Sequence, residues 1–210
     1  MTRPTGSTPM LQHLDDETRE LVRLAATVTG GDEPEIRDAI ASAHAKVRRV
    51  WVEELLLQTY LFAGFPRALN AMREWRRLNP TSEPDGDTRS LDDWRRDGER
   101  TCAAVYGRMY ERLRENIRDL HDCLDDWMIT EGYGKVLSRP ALDLPRRELC
   151  IVAACVAGNQ DRQLHSHLHG AVNVGVATEV VSAAIDTLDD VVGVDRCDVV
   201  RMLWARVKGK

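Results

Sequence analysis

The sequence predicts an all-α protein built on an internal duplication of a helical unit. Aromatic residues make up only 5% of the 210 residues, and no bounded stretch alternates apolar and polar residues as a half-buried strand does. Apolar residues instead recur at helical spacing along most of the chain. A segment of the N-terminal half also recurs, with many identities, in the C-terminal half. A chain of this length can bury a substantial core in one or two compact domains.

The predicted helices follow one another in chain order. The stretch LDDETRELVRLAATVTGG offers an aspartate cap, an apolar face and a glycine stop. Helical spacing continues in VEELLLQTYLFAG, ALNAMREWRRL, DWRRDGERTCAAVYGRMYERLRENI and DLHDCLDDWMITEG. The segment NPTSEPDGDTRS has the Pro, Gly, Ser and Asp content of a linker. We expect a frayed start, MTRPTGSTPM, a first unit at residues 12–78, a linker at 79–91 and a second unit at 92–207.

Charge and composition favour small molecules or other proteins as partners. The formal net charge is -5, with acidic and basic residues interspersed, so neither nucleic acid nor an anionic membrane is an expected partner. The N-terminus lacks the apolar region of a signal peptide, and no run approaches the roughly 18 apolar residues of a membrane span. We expect a soluble, cytoplasmic protein.

The five cysteines show no CxxC pairing of a redox dithiol or a zinc site. Cys150, Cys155 and Cys197 lie in helical stretches, where cysteine mostly behaves as a small hydrophobic residue. Cys150 and Cys155 are five residues apart on one predicted helix and point in different directions, so we expect no disulfide between them.

A shift of 128 residues aligns the two copies of the duplicated unit. It places LDDETRELVRLAATVTG (residues 14–30) on LDLPRRELCIVAACVAG (142–158), with nine of 17 positions identical, where composition alone gives about one. The register then runs without a gap until ATEVVSAAIDT falls on RVWVEELLLQT. The chain therefore contains its own internal alignment.

The two copies have kept different parts of the unit. The second copy has QLHSHLHGAVNVGV where the first has the histidine-free EIRDAIASA, and the first has YLFAGFPRALNAM where the second has DDVVGVDRCDVVRM. A composite site, made from the front of the second copy and the back of the first, explains this division. Drift in a duplicated scaffold explains it equally well.

Three stretches make the chain resemble the carboxymuconolactone decarboxylase family, whose relatives include the peroxidase-type AhpD proteins. They are EGYGKVLSRPALDLPRRELCIVAACVAG, QLHSHLHGAVNVGV and EELLLQTYLFAGFPRALNAM, and the resemblance covers residues 14–72 and roughly 92–207. It implies an AhpD-like helical fold with intimate oligomer contacts. Because single-unit relatives commonly form hexamers, it also implies a homo-oligomer, with a trimer favoured for this two-unit chain.

The resemblance extends to a spaced set of site residues. Peroxidase-type members carry a glutamate, two cysteines twelve and fifteen residues later, and a histidine nineteen residues after the glutamate; the corresponding residues here are Glu148, Gln160, Gln163 and His167. A peroxidase of that type needs a thiolate of low pKa and a second cysteine to resolve the sulfenic acid, and glutamine supplies neither. Decarboxylase-type members lack the cysteine pair and keep the histidine, as this chain does.

Three of the six histidines lie close together on one predicted helix. At 100° per residue, His167 flanks the apolar stripe on the side of Gln160 and Gln163, whereas His165 and His169 flank the other side. His165 and His169, with an aspartate one turn earlier, form at most a two- or three-ligand metal site, and no HExxH pattern supports it. We therefore interpret them as surface residues and expect no metal.

Glu148 opens a predicted helix that is apolar nearly all round and hence buried. Two interpretations stay open for its carboxylate: a capping group near the helix N-terminus, or a proton-handling group. The first copy retains Glu20 at the equivalent position without the histidine, which favours a structural duty as well. Arg147 is likewise matched by Arg19, and we interpret that pair as mainly structural.

The resemblance implies a carboxy-lyase that needs no cofactor and removes carbon dioxide from a carboxylated, unsaturated lactone. His167 is then the proton donor, and Glu148 sets its tautomer or relays the proton. The alternatives are an AhpD-like peroxidase and a non-catalytic, oligomeric ligand-binding scaffold. The remaining candidates, for substrate binding, are Gln160, Gln163, Arg162, Phe65 and Asn70, of which the last two come from the first copy and are equally explained by helix packing.

Overall fold

A computed structural model describes residues 11–80 and 86–209, and these residues form helices without a β-sheet. The predicted all-α fold is confirmed. One isolated backbone bridge joins Leu11 to Val176. Within the described ranges, no helix is long and apolar enough to cross a membrane. The N-terminal stretch MTRPTGSTPM and residues 81–85 of the predicted linker lie outside the described residues.

The first unit consists of three helices, α1 (Asp16–Gly30), α2 (Glu33–Lys46) and α3 (Arg49–Leu78). The predicted aspartate cap of α1 is Asp15, which accepts a hydrogen bond from the backbone amide of Thr18 at 2.7 Å. Inside α3, Gly64 adopts φ 79° and ψ 161°, a conformation open mainly to glycine, and two helices meet there. This break separates the two helices that the sequence predicts in this region.

The next segment consists of α4 (Leu91–Tyr106), a 3₁₀ turn (Gly107–Met109), α5 (Tyr110–Leu120), α6 (Asp122–Trp127) and a π-helix (Met128–Leu137). The sequence predicts one helix through α4 and α5, but Gly107 has φ 51° and interrupts it. The region predicted as a helix over DLHDCLDDWMITEG is helical, although its second half is a π-helix. Such helices are rare and occur mostly at functional sites.

Two glycines hold the π-helix directly against α4. A Cβ atom on Gly98 would lie 2.0 Å from the carbonyl oxygen of Ile129, and one on Gly134 would lie 2.0 Å from that of Trp94. Arg89 then donates hydrogen bonds to the carbonyls of Gly134 and Lys135, at 3.1 and 2.8 Å. The backbones of the two helices therefore approach closely.

The predicted second unit begins with the segment just described, and its repeated part contains α7 (Leu144–Ala157), α8 (Asp161–Asn173), α9 (Thr178–Asp186), α10 (Asp189–Val192) and α11 (Val194–Lys208). It repeats the first unit, with Gly193 (φ 88°, ψ 146°) in the place of Gly64. Three residues beyond each glycine, an arginine binds an equivalent carbonyl: Arg67 donates to Val28 at 3.1 Å, and Arg196 to Val156 at 3.0 Å. The duplication seen in the sequence is therefore present in three dimensions.

The core is centred on α7, which is buried on all sides, as its apolar pattern predicts. It packs against α1, α3, α8, α9 and α11. Its Arg147 is fully buried and donates hydrogen bonds to Glu54 (2.6 Å) and Gln58 (3.0 Å) of α3, and to the carbonyls of Leu142 and Arg139 (3.0 Å each). Glu54 also pairs with the Arg139 side chain at 2.8 Å. This buried ion pair joins the second unit to the first.

We expect Arg147→Met to lower the free energy of unfolding by about 3 kcal/mol or more, because it removes one partner of a buried ion pair. The internal repeat provides a matched control, Arg19→Met. Arg19 is exposed and pairs with Asp16 at 2.6 Å, so its replacement is expected to change stability by no more than about 0.5 kcal/mol. Urea unfolding followed by circular dichroism measures both variants. If both variants lost the same free energy of unfolding, the buried ion pair of Arg147 would contribute no more to stability than the exposed pair of Arg19.

Candidate active site

The site is built on a contact between the buried faces of α7 and α8. Nδ1 of His167 lies 2.8 Å from Oε2 of Glu148, and both side chains are buried. Gly170, one turn after His167, makes room for this contact, because a Cβ atom there would lie 2.6 Å from Oε2 of Glu148. The N-cap of α7 is Asp143, which accepts from the amide of Arg146 at 3.0 Å. Glu148 is therefore not the capping residue, which was one of its two interpretations.

The Glu148 carboxylate has spare hydrogen-bonding capacity. Its Oε1 atom is buried and has no hydrogen-bond partner among the described residues. Buried polar atoms are nearly always paired, so such an atom calls for an explanation. An ionised carboxylate only accepts hydrogen bonds, and His167 then donates from Nδ1. This arrangement leaves Nε2 as the ring nitrogen available to a ligand.

His167 lines a cavity of about 850 Å³ that is formed by both units. From the first unit, the ring of Phe62 lies 5.8 Å from the His167 ring, centroid to centroid, in an edge-to-face arrangement. From α4, the ring of Tyr106 lies 6.4 Å from His167 and 6.2 Å from Tyr133 of the π-helix. The back of the first copy and the front of the second therefore share one cavity.

The two eroded parts of the copies also meet each other. Glu20, the equivalent of Glu148, and Ala39, the equivalent of His167, line a second cavity of about 650 Å³ together with Val191 and Val192 of the second unit. There the glutamate contacts Lys46 at 3.3 Å. Each of the two pseudo-equivalent cavities thus combines the front of one copy with the back of the other. The residues lost from the front of the first copy and those lost from the back of the second copy line the same cavity. A composite site predicts this coincidence, whereas drift does not require it.

Three of the five candidate binding residues line the cavity of His167, and two do not. Gln163 and Arg162 of α8 and Phe65 of α3 are at the cavity. Gln160 is exposed and precedes α8 with φ -96° and ψ 65°, so it does not continue the helical face on which the sequence placed it. Asn70 lies beyond the break in α3 and lines a different groove, where it contacts Arg73.

The sequence analysis missed most of the aromatic wall. Six of the 11 aromatic residues line this one cavity, although they are scattered along the chain; the set is Tyr60, Phe62, Phe65, Tyr106, Trp127 and Tyr133. Because these residues are far apart in the sequence, their grouping at one cavity becomes visible only in the folded structure. Burial raises the pKa of Tyr106 to about 12 and that of Tyr133 well above its ordinary value. Both phenols stay neutral and can donate hydrogen bonds.

A tyrosine and a glutamate face each other at the edge of this wall. Tyr60 donates a hydrogen bond from its hydroxyl to Oε1 of Glu131 at 3.0 Å. Burial, together with the neighbouring carboxylate, raises the pKa of Tyr60. The Tyr60 ring also stacks on Phe65, with centroids 4.6 Å apart. Glu131 is the only acidic side chain among the described residues that line the cavity, and it is engaged by Tyr60.

His165 and His169 lie away from His167, on the other side of α8, as the helical spacing predicts. Their ring centroids are 4.9 Å apart. The aspartate one turn earlier, Asp161, pairs instead with Arg196 at 2.7 Å. Over residues 11–80 and 86–209, no group of three or more His, Cys, Asp or Glu side chains is placed to hold a metal ion.

The outer wall of the cavity is the hairpin of α5 and α6. No residue of Tyr110–Leu120 is fully buried; Leu113, Ile117 and Leu120 of this helix line the cavity, and Leu113 also packs against the core. The hairpin is held by Asp125 of α6, which accepts hydrogen bonds from Arg114 and, at 2.9 Å, from Arg118. This wall therefore contributes to the cavity more than to the core.

Comparison with known proteins gives two findings. The sequence pattern of the family described as "Carboxymuconolactone decarboxylase family" matches residues 9–77 and 126–205, one region in each unit. The chain is also 31% identical over 137 residues to "Peroxisomal protein 2" of Schizosaccharomyces pombe, an alignment that covers 63% of this chain and 64% of that protein. The chain thus spans less than two thirds of this relative's length. Because the family match covers both units and most of the chain, the protein belongs to the carboxymuconolactone decarboxylase family.

Proposed function

We propose that the protein is a carboxy-lyase that works without a cofactor on a carboxylated, unsaturated lactone, with His167 as the proton donor. The observation that carries this proposal is the buried contact between His167 and Glu148 at the wall of an open cavity formed by both units. A non-catalytic scaffold has no need of a half-paired buried carboxylate beside a histidine at a cavity of this size.

The reaction divides into the loss of carbon dioxide and the return of a proton. When the bond between the ring carbon and the carboxylate breaks, its electron pair passes through the ring double bond to the lactone carbonyl and gives a dienolate. Neutral Tyr106 is suited to donate a hydrogen bond to the oxyanion, and the hydroxyl of Tyr133, which hydrogen-bonds to that of Tyr106, supports it. Nε2 of protonated His167 then gives its proton to a ring carbon, and the neutral imidazole recovers a proton from solvent. One substrate carboxylate and one proton become carbon dioxide and the decarboxylated lactone.

Glu148 is a positioning residue in this scheme. Its Oε2 atom holds Nδ1 of His167 and so fixes the orientation of the ring and the nitrogen that carries the transferable proton. The free position at Oε1 allows a water molecule or a small ring shift to be accommodated during the proton cycle. The exposed Arg162 is the cation at this cavity that can attract an anionic substrate.

The thiol chemistry of the AhpD-type alternative has little support in these residues. Gln160 and Gln163 occupy the positions of the two reactive cysteines. Cys150 and Cys155 are free and buried, and burial raises the pKa of each thiol to about 12. A thiol of such high pKa forms almost no thiolate near neutral pH, and the thiolate is the nucleophile that peroxide reduction requires.

We expect His167→Ala to lower kcat for 4-carboxymuconolactone by roughly 100-fold or more, because the general acid is lost. The assay follows the ultraviolet absorbance of the lactone and the release of carbon dioxide. His13→Ala, an exposed histidine that lines neither this cavity nor its neighbour, is the matched control and should retain wild-type kcat. Wild-type turnover by His167→Ala would remove His167 from the mechanism, and absence of turnover by the wild-type protein would remove this substrate.

Replacing Glu148 with Gln tests its positioning role. The amide keeps the size of the carboxylate but donates as well as accepts, so it no longer imposes one tautomer on His167. We expect kcat to fall by about 10–100-fold with little change in KM, and the ring nitrogen signals of His167 in NMR to change. Glu20→Gln, at the equivalent position of the first unit, should leave both unchanged. A purely structural Glu148 would instead lower stability without altering the signals of a folded variant.

Thiol accessibility tests the argument against a dithiol peroxidase. A water-soluble aromatic disulfide reagent should modify one thiol of the native protein near neutral pH, the exposed Cys123, and all five after unfolding. Rapid modification of Cys150 or Cys155 in the native state, or thiol-dependent consumption of peroxide that their replacement abolishes, would favour the peroxidase instead.

The same thiols make the stability depend on pH in the alkaline range. Below 9.0, the ordinary thiol pKa, folded and unfolded chains are equally protonated at Cys150; above it the unfolded chain loses the proton first, because the folded pKa is about 12. The free energy of unfolding should therefore fall between pH 9 and 12, by at most about 1.4 kcal/mol per pH unit for each such thiol. Urea unfolding at a series of pH values measures the slope, and replacement of Cys150 with Ser should reduce it.

A further inference from the structure

Another cavity, of about 740 Å³, lies next to the cavity of His167, and we call it the adjoining cavity. The two cavities share four lining residues, which are Tyr106, Leu113, Asn116 and Ser166. Ser166 directly precedes His167 on α8, so the shared wall lies beside the proposed proton donor. A ligand long enough to pass along this wall occupies both cavities at once.

The adjoining cavity is lined without any acidic side chain from the described residues, in a chain that carries 34 acidic residues and a net charge of -5. Its polar side chains are those of Arg108, Asn116, His165, Ser166, His169 and Asn173. Each can donate a hydrogen bond, and one is permanently cationic. A surface of donors without carboxylates is suited to an anion and not to a metal ion.

Arg108 has an unusual setting for an arginine of this protein. Most other arginines form ion pairs, but no carboxylate among residues 11–80 and 86–209 pairs with Arg108. The turn that carries it, Gly107–Met109, is held beside α8 because Asn173 donates a hydrogen bond to the carbonyl of Val105 at 2.8 Å. The turn that carries the exposed Arg108 therefore lies beside the helix that carries His165 and His169.

We propose that the adjoining cavity is a subsite for an anionic group, a carboxylate or a phosphate, at the far end of an elongated substrate. Arg108 binds the anion with help from His165 and His169, and the apolar wall of Leu113 and Tyr106 covers the middle of the molecule. The reacting end then lies at His167. The preferred substrate is then a longer acid than 4-carboxymuconolactone, with its second anionic group separated from the reacting centre by an apolar segment. This inference rests on the proposed function in taking the cavity of His167 as the reaction chamber.

The test is equilibrium binding, so it requires no turnover. The probes are 4-phenylbutyrate, 4-phenylbutyl phosphate and the neutral 4-phenylbutyramide, titrated into protein labelled on its histidine rings. We expect one or both anions to bind and to shift the NMR signals of His165 and His169, and the amide to bind roughly tenfold more weakly or not at all. The anion that binds more tightly identifies the group for which the subsite is built.

Variants test whether the Arg108 side chain is responsible for binding the anion. Arg108→Gln should weaken binding of the preferred anion about tenfold and leave binding of the amide unchanged. Arg112→Gln, an exposed arginine on α5 that lines neither cavity, is the matched control and should bind as the wild type does. Equal binding of anion and amide, an unchanged affinity in Arg108→Gln, or the absence of anion binding would each overturn the subsite.

The same titration on His167→Ala separates this inference from the proposed function. Anion binding that depends on Arg108 and persists in His167→Ala supports the subsite, whatever the turnover assays show. If His167→Ala loses turnover but Arg108→Gln binds the anion as tightly as the wild type does, the proposed reaction is supported and only the subsite is refuted.

Discussion

The burial of two adjacent charged side chains on one apolar helix determines the geometry of the cavity. Arg147 and Glu148 follow each other on α7, and the 100° between successive helical residues directs them to different neighbours. Arg147 binds Glu54 of α3, the helix that also carries Phe62 to the cavity, whereas Glu148 receives His167 of α8. Because a buried charge without a partner costs several kcal/mol, both contacts constrain where α3 and α8 lie around α7.

The first unit shows the same pair of residues in a less buried setting, with Arg19 exposed and Glu20 partly buried. Arg19 and Glu20 occupy the equivalent positions on α1, but they contact Asp16 and Lys46 near solvent. Exposed ion pairs of this kind contribute little to stability and do not fix the geometry of a neighbouring group. Duplication therefore gave two similar cavities, of which one keeps a desolvated carboxylate beside a histidine.

Apolar periodicity and self-alignment were sufficient to predict most of the helices and the repeat, since these depend on local geometry and on matched spacing. The pairing of His167 with Glu148 was predicted only through the residue spacing that the family resemblance supplied. Periodicity failed where the backbone departs from a regular helix. Gln160 precedes α8, so a helical projection misplaces it. Asn70 follows the glycine break in α3, as Phe65 does, but it faces a different groove. The aromatic wall also depends on the close contact of Gly98 with the π-helix, which leaves no periodic trace in the sequence.

The regions that match the family and the segment between them make different contributions to the cavity. Glu148, His167 and Phe62 lie within the matched regions, whereas Arg108 and Leu113 lie between residues 77 and 126, outside them. None of the residues of α5 is buried, so this helix can change sequence at small cost to the core. His167 and Glu148 are therefore held by the buried framework, whereas α5 contributes only partly buried side chains to that framework. Such a division allows the ligand to change while the proton-handling pair stays in place, because the two depend on different sets of contacts.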